Sequence, residues 1–578
     1  MPNRRPSGKI KLGLLITFFI IAVVAVVRLY FYFKHDKNKI SVVAVEYAEK
    51  LIGLNLEYKE RKQMMEDLDS LKRSYEEIRQ VPLPNSVPPA LQFNPQLSAE
   101  KPTAVPKRMT PLPRPMAVLP ADRNELAFYS LTQLAALIRA RKITSTELTR
   151  LYLDRLKTYG PHLQCVVTLT EELALQQAGR ADREIAAGRY RGPLHGIPWG
   201  AKDLLATKGI RTTWGAAPYK DRIFEEDATV VKKLEEAGAV LVAKLSLGEL
   251  AWGDVWFNGQ TRNPWNLEQG SSGSSAGPAS AVAAGLVGFA LGSETWGSII
   301  SPSTRCGTSG LRPTFGQVSR NGAMALAWSM DKIGPICRAA EDCALVFDAI
   351  RGPDGLDLTA TDHPFDWNPA LDLRLIRVGF YEKAFEKEKD SKSKQNDLRV
   401  LDVLRSLGVS LVPVDMPRLP IEPLSLILSA EAAAAFDDLT RGNADDLLVR
   451  QVRDAWPNVF RQARFIPAVE YIQANRIRTL LMRDMAERLK AVDVFVTPSF
   501  GGDVLLLTNL TGHPAVVVPD GFDDKGSPTS ISFVGNLYQE AKTLRLAKAF
   551  QEATDFHLQH PPLGENIRRA AEKAAKKK

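Results

Sequence analysis

Residues 270–314 read GSSGSSAGPASAVAAGLVGFALGSETWGSIISPSTRCGTSGLRPT, a run in which small residues crowd both ends of an apolar middle. Glycine and serine cost backbone entropy and bury little apolar surface, so by themselves they stabilise a domain little. Where they cluster between apolar segments, the backbone usually passes close to something or offers its N–H groups to an anion. A flexible linker shares this composition, but Ala279 to Leu291 is too apolar for a solvated tether. The run reads instead as a buried active-site core built around serines.

The surrounding chain has globular composition. Its 578 residues are 45% hydrophobic and 24% charged, ample for a large core. The formal charge of +9 gathers in the tails, at Arg4, Arg5, Lys9 and Lys11 and at Arg568, Arg569, Lys573 and Lys576 to Lys578. Without them the body is close to neutral, so no nucleic-acid face is implied. Cys165, Cys306, Cys337 and Cys343 are irregularly spaced, with no CxxC pair and no HExxH among the histidines. Neither a metal nor another cofactor is expected, and nothing argues for a disulfide.

Three sections precede the body. Leu12 to Val27 is continuously apolar, and Tyr30 to Phe33 extend it past Arg28. Roughly 20 such residues span a bilayer, so an uncleaved single-pass anchor is expected within 12–33, in a basic-flanked segment 1–39. Arg28 would snorkel and the aromatics would sit at the interface. A cleaved signal peptide is the rival, although no small-x-small site follows. The basic amino end favours an extracytoplasmic main domain, a bias that Lys34, Lys37 and Lys39 blunt.

Residues 40–80 read as helix, with Met64, Leu68, Leu71, Tyr75 and Ile78 on a heptad seam. The seam covers barely two heptads and fits a short coiled coil or a helix lying on the body. Eleven prolines between Val81 and Pro120 make 81–124 an extended spacer. The body is expected over 125–556 and a basic tail over 557–578.

Within the body, Ser130 with Gln133 and Thr144 with Glu147 fit capping boxes at helix starts. DATVVKKLEEAGA at 227–239 is helical in pattern, and Ala239 to Ser246, Val494 to Thr497 and Ala515 to Val518 read as buried strands. This alternation predicts a layered α/β body with a mainly internal sheet. In GIPWGAKDLL (196–205), Lys202 lies in an apolar, glycine-rich turn. A lone lysine is usually solvated; a desolvated one has a lowered pKa and can act as a base near neutrality.

Lys202, Ser274 and Ser298 together, in their local sequences, resemble the amidase signature family. The matching pieces are SGSSAGP (272–278), AVAAG (281–285), SETWGSIISP (293–302) and CGTSGLRPT (306–314). RNPWN (262–266), SRNG (319–322), AWSMDKIGP (327–335) and NLTGHPAVVVP (509–519) flank them. The resemblance covers roughly Glu125 to Phe556.

It implies an α/β fold with a central mixed sheet covered by helices. It also implies a Ser–Ser–Lys triad: Ser298 as nucleophile, Ser274 on a cis peptide as proton relay, and neutral Lys202 as base. A serine hydroxyl needs such a base, and a buried lysine can take the part of histidine. The backbone N–H groups of Thr295, Trp296, Gly297 and Ser298 would form the oxyanion hole.

Several positions depart from the family pattern. Ser293 and Glu294 replace threonine and aspartate, Trp296 and Ile300 replace glycine and arginine, and Ala276 and Pro278 replace glycine and serine. Trp296 is expected to be strained if its position demands φ > 0, and to cap the pocket. Ile300 is expected to leave Glu294 without a charged partner. His195 and His513 read as structural, and Cys306 as packing. Trp252, Trp256, Trp265 and Trp328 read as core or pocket lining, and Glu225 and Glu226 as helix-start charge.

The function so implied is a membrane-anchored amidase acting on a small-molecule or lipid-like amide, with homo-oligomerisation left open. One alternative is the A-type subunit of a glutamine-dependent amidotransferase. Another is a catalytically impaired anchored binding protein.

Overall fold

The computed structural model describes residues 19, 21–24, 40–83, 90–91, 116–387 and 391–577. By internal packing the chain forms two units, Met1–Arg73 and Ser74–Lys578. In the first, helix α1 (Val42–Ile52) starts at Ser41, whose hydroxyl accepts the Ala44 N–H, and stops at Gly53 with φ +70°. Helix α2 (Tyr58–Arg79) carries the predicted seam, with Met64, Leu68 and Ile78 buried along it.

The expected membrane localisation is corrected here. Among the described residues no helix is long and apolar enough to cross a bilayer. Helices of sufficient length exist, but α2 and Ala468–Arg488 are studded with charge. Most of the anchor stretch 12–33, and residues 84–89 and 92–115 of the proline-rich spacer, lie outside the described residues.

In the second unit both capping boxes form as predicted. Ser130 opens α3 (Leu131–Arg139) with Gln133, and Thr144 opens α4 (Ser145–Leu163) with Glu147. The 227–239 pattern yields α5 (Thr229–Glu236). One eleven-stranded sheet runs through the unit: β1 (Val166–Leu169), β2 (Pro198–Lys202), β3 (Val240–Leu245), β4 (Phe289–Glu294), β5 (Ser309–Arg312), β6 (Lys332–Cys337), β7 (Val378–Phe380), β8 (Leu411–Pro413), β9 (Val494–Pro498), β10 (Ala515–Phe522) and β11 (Pro528–Gly535). Its order is β1-β3-β2-β4-β6-β5-β10-β11-β9-β7-β8.

The sheet is mixed. β2 runs parallel to both β3 and β4, and β7 to both β8 and β9, whereas β4–β6 and β10–β11 are antiparallel. Strands β2, β3 and β6 are buried at every position, which suits the unbroken apolar run of β3, and Lys202, expected in a turn, instead ends strand β2.

The Ser/Gly run itself folds as helix α6 (Ala276–Ala283), buried at every position, then β4, then the short helix α7 (Ile300–Cys306). Helix α8 (Val504–Leu510) lies against the turn between β4 and α7, where Leu505 meets Gly297. Since β2 and β4 are sheet neighbours, Lys202 at the end of β2 stands beside the end of β4 and the turn that follows it.

Candidate active site

Lys202 is wholly buried, and its side-chain nitrogen is surrounded by hydroxyls. Nζ donates to Ser274 Oγ at 2.9 Å, Ser275 Oγ at 3.0 Å and Ser293 Oγ at 2.9 Å, and reaches the Ser293 carbonyl at 3.3 Å. Burial drives its pKa down to about 7, against the weaker upward pull of Asp331 and Glu294. Burial thus favours the neutral amine, the form a base needs.

Ser274 follows a cis peptide, Gly273–Ser274. Its neighbour Ser275 also donates to the Ser293 carbonyl at 3.1 Å and accepts the Ser293 N–H at 3.1 Å. Only glycine permits this contact from β4, because a Cβ on Gly292 would lie 2.7 Å from Ser275 Oγ. Ser275 and Ser293 are site residues that the sequence reading missed. The doubled serine at 274–275 was the available signal for the first.

Ser298 is half-buried in the turn between β4 and α7. The Ser275 N–H donates to the Ser298 carbonyl at 3.1 Å, which brings relay loop and nucleophile turn together. Among the described residues no hydrogen bond joins the Ser298 and Ser274 hydroxyls. Catalytic hydrogen bonds often tighten only when substrate binds. The N–H groups of Thr295, Trp296, Gly297 and Ser298 donate to no group among the described residues. That leaves a cluster of open donors around the candidate nucleophile, as stabilising an oxyanion requires.

Two expectations about this turn are corrected. The left-handed φ falls on Gly297, at +87°, and not on Trp296, which keeps an ordinary backbone and is 42% exposed. Trp296 is thus spared the strain of a left-handed φ. Nor is Glu294 deprived of a charged partner by Ile300. Arg312 of β5 reaches it from another strand, Nη1 to Oε1 at 2.8 Å, with both side chains fully buried. Burial pushes the Glu294 carboxyl upward, but Arg312, Asn509 and the Ile300 N–H outweigh it and hold the group at about 2.

A cavity of about 200 Å³ lies beside β4, reaching Ser293 and Thr295 and walled by Met324, Trp328, Asp331 and Ile333. Asp331 accepts from Thr295 Oγ1 at 2.6 Å and from the Leu326 and Ala327 N–H groups. Of the four tryptophans, Trp328 lines this cavity, Trp256 is core, Trp252 packs edge-on to Trp456, and Trp265 donates to the Cys306 carbonyl at 2.8 Å.

All four cysteines are buried free thiols, and Cys306 packs with its Sγ toward the Ser271 carbonyl. His513 is buried with Nδ1 at 2.8 Å from Thr511 Oγ1, and His195 lies 3.3 Å from Glu184. Neither ring touches the lysine–serine cluster.

The chain belongs to the amidase signature family, as a family-profile match over more than half of its length shows. The family profile described as Amidase matches residues 147–504. The chain is similar to the A-type subunit of the glutamyl-tRNA(Gln) amidotransferase of Roseiflexus sp. (strain RS-1), 37% identical over 474 residues, which are 74% of this chain and 96% of the relative. It is likewise similar to the corresponding protein from Moorella thermoacetica, 34% identical over 76% of this chain and 99% of the relative. Among solved structures it resembles the native peptide amidase of Stenotrophomonas maltophilia, with TM-score 0.67 and 29% identity over 75% of this chain and 98% of that one.

Proposed function

We propose that the chain breaks a carboxylic amide through an acyl-enzyme on Ser298, with Ser274 as proton relay and Lys202 as base. The observation that carries this is the buried Lys202 amine, whose Nζ lies 2.9 Å from Ser274 Oγ and whose pKa burial lowers to about 7. Neutral Lys202 takes the Ser274 proton while Ser274 takes that of Ser298, whose Oγ attacks the carbonyl carbon. The oxygen turns negative toward the N–H groups of the 295–298 turn. The proton returns through Ser274 to the leaving nitrogen, the C–N bond breaks, and ammonia or an amine departs. Water then hydrolyses the ester by the same proton path.

Between a free-standing amidase and an A-type amidotransferase subunit, the relatives favour the subunit, since 37% identity extends over nearly the whole of one. On that reading glutamine is the amide, the released ammonia passes to a tRNA-linked acceptor, and further subunits are partners. Against a catalytically impaired binding protein count the absence of a left-handed φ at Trp296 and the pairing of Arg312 with Glu294.

The test has two arms. A fluorophosphonate probe is expected to label the intact protein and not Ser298→Ala; equal labelling of both rejects the acyl-enzyme. Ammonia release is then measured from glutamine and from aliphatic, aromatic and peptide amides without tRNA. Ordinary turnover of simple amides alongside inert glutamine rejects the subunit reading and leaves the amidase.

A further inference from the structure

The carboxylate of Glu294 is the last side chain of β4, four residues before Ser298, and it accepts four hydrogen bonds. Oε2 takes the N–H groups of Ile299 at 2.9 Å and Ile300 at 3.0 Å, the two residues that follow Ser298. Oε1 takes Arg312 Nη1 at 2.8 Å and Asn509 Nδ2 at 2.8 Å. One carboxylate thus fastens both ends of the turn that presents the nucleophile. Its own position depends on Arg312, which is fully buried and reaches no substrate-facing surface.

Arg312 is fixed in turn from two further directions. Nη2 donates to Thr508 Oγ1 at 2.9 Å and to the His513 carbonyl at 2.9 Å. Thr508 lies on α8, the helix whose Leu505 would sit 2.9 Å from a Cβ on Gly297. The guanidinium therefore joins β5, α8 and the start of β10 to the carboxylate. Its planar fork suits this many-partnered role better than a point charge would.

We propose that Arg312 is a positioning residue for amide cleavage, acting through Glu294 to set the Ser298 turn and its open N–H donors. It does from β5 what a charged residue at position 300 would do from within α7. The inference rests on the acyl-enzyme reading above.

The test uses the full chain, with fluorophosphonate labelling of Ser298 as the rate, counted per folded molecule. Arg312→Gln is expected to slow labelling about 100-fold, on the scale of a lost oxyanion donor, and to lower kcat while leaving KM nearly unchanged. Arg312→Lys, which keeps the charge and gives up the fork, is expected to recover only part of that loss. Glu294→Gln is expected to match Arg312→Gln, with the double variant no slower than either, as for residues acting in series.

Wild-type labelling speed in Arg312→Gln, or a multiplicative loss in the double variant, overturns the proposal. Should Arg312→Gln fail to fold, Asn509→Ala withdraws a single donor and leaves both charges. Slowing of about fivefold in the folded variant supports the clamp, and an unchanged rate overturns it. A wild-type protein that takes no label overturns the acyl-enzyme reading and this proposal together. A labelled wild type with an equally labelled Arg312→Gln overturns this proposal alone.

Discussion

The Ser275 N–H donates to the carbonyl oxygen of Ser298 across 3.1 Å, so the two serine loops are tied by main chain rather than by their hydroxyls. Removing a hydroxyl should therefore leave the scaffold standing. Ser298→Ala is expected to lower amide cleavage by about 10⁴-fold or more while thermal unfolding stays within a few degrees of wild type. Ser274→Ala is expected to behave alike in activity. A calorimetric trace beside an ammonia assay checks both.

Lys202 carries a pH signature of defined sign. Its folded pKa of about 7 lies below the 10.5 of a free lysine. Between those values the unfolded chain binds the extra proton, so this residue makes stability rise with pH across that window. Lys202→Met is expected to abolish activity and to remove this slope, with its relative stabilisation largest at and below pH 7 and absent above about 10.5. In the wild type, Ser298 labelling is expected to rise with pH through about 7. Denaturant melts at several pH values and the labelling profile check it.

Glu294 has the opposite sign. With its carboxyl held at about 2, it contributes stability that is whole above the ordinary value of 4.5 and is lost as pH falls toward 2. Glu294→Gln is expected to lack this acid-range loss. It is also expected to cost about 3–5 kcal/mol near neutrality, because Arg312 is left buried without its counter-charge. Urea midpoints at pH 7 and near pH 2 compare the two proteins.

Gly297 and Trp296 make a contrasting pair. At φ +87°, with Leu505 Cδ2 2.9 Å from where a Cβ would stand, Gly297→Ala is expected to cost about 1–3 kcal/mol and to depress kcat by displacing the open donors. Trp296→Ala, on ordinary backbone and 42% exposed, is expected to shift stability by no more than about 0.5 kcal/mol and to act on KM. Melting curves and steady-state kinetics on both variants separate the two effects.

Much of this was legible in the residues. The capping boxes at Ser130 and Thr144 and the strands near 240, 494 and 515 carry local signals, and each appears in the structure; the Lys202–Ser274 pairing followed only from the family resemblance. What was illegible is long-range. Which residue answers the charge of Glu294 depends on β5 and β4 lying one strand apart in the sheet, which no spacing discloses. Whether position 296 demands φ > 0 is likewise set by the folded turn, which places its left-handed residue at Gly297. The apolar amino-terminal stretch suggested a span by composition, but no described helix has the length and character for one.

The clamp on Glu294 is also a matter of timing. Lys202, Ser274, Ser298 and Arg312 all lie within the first 312 residues, whereas Thr508, Asn509 and the His513 carbonyl come about two hundred residues later. A nascent chain that has delivered β2, α6, β4 and the turn after it already possesses its lysine and both serines. It has no Asn509 for the carboxylate and no Thr508 or His513 for the guanidinium. The nucleophile turn is thus finished by residues made about two hundred positions after Arg312, and the clamp on Glu294 closes only once they are in place.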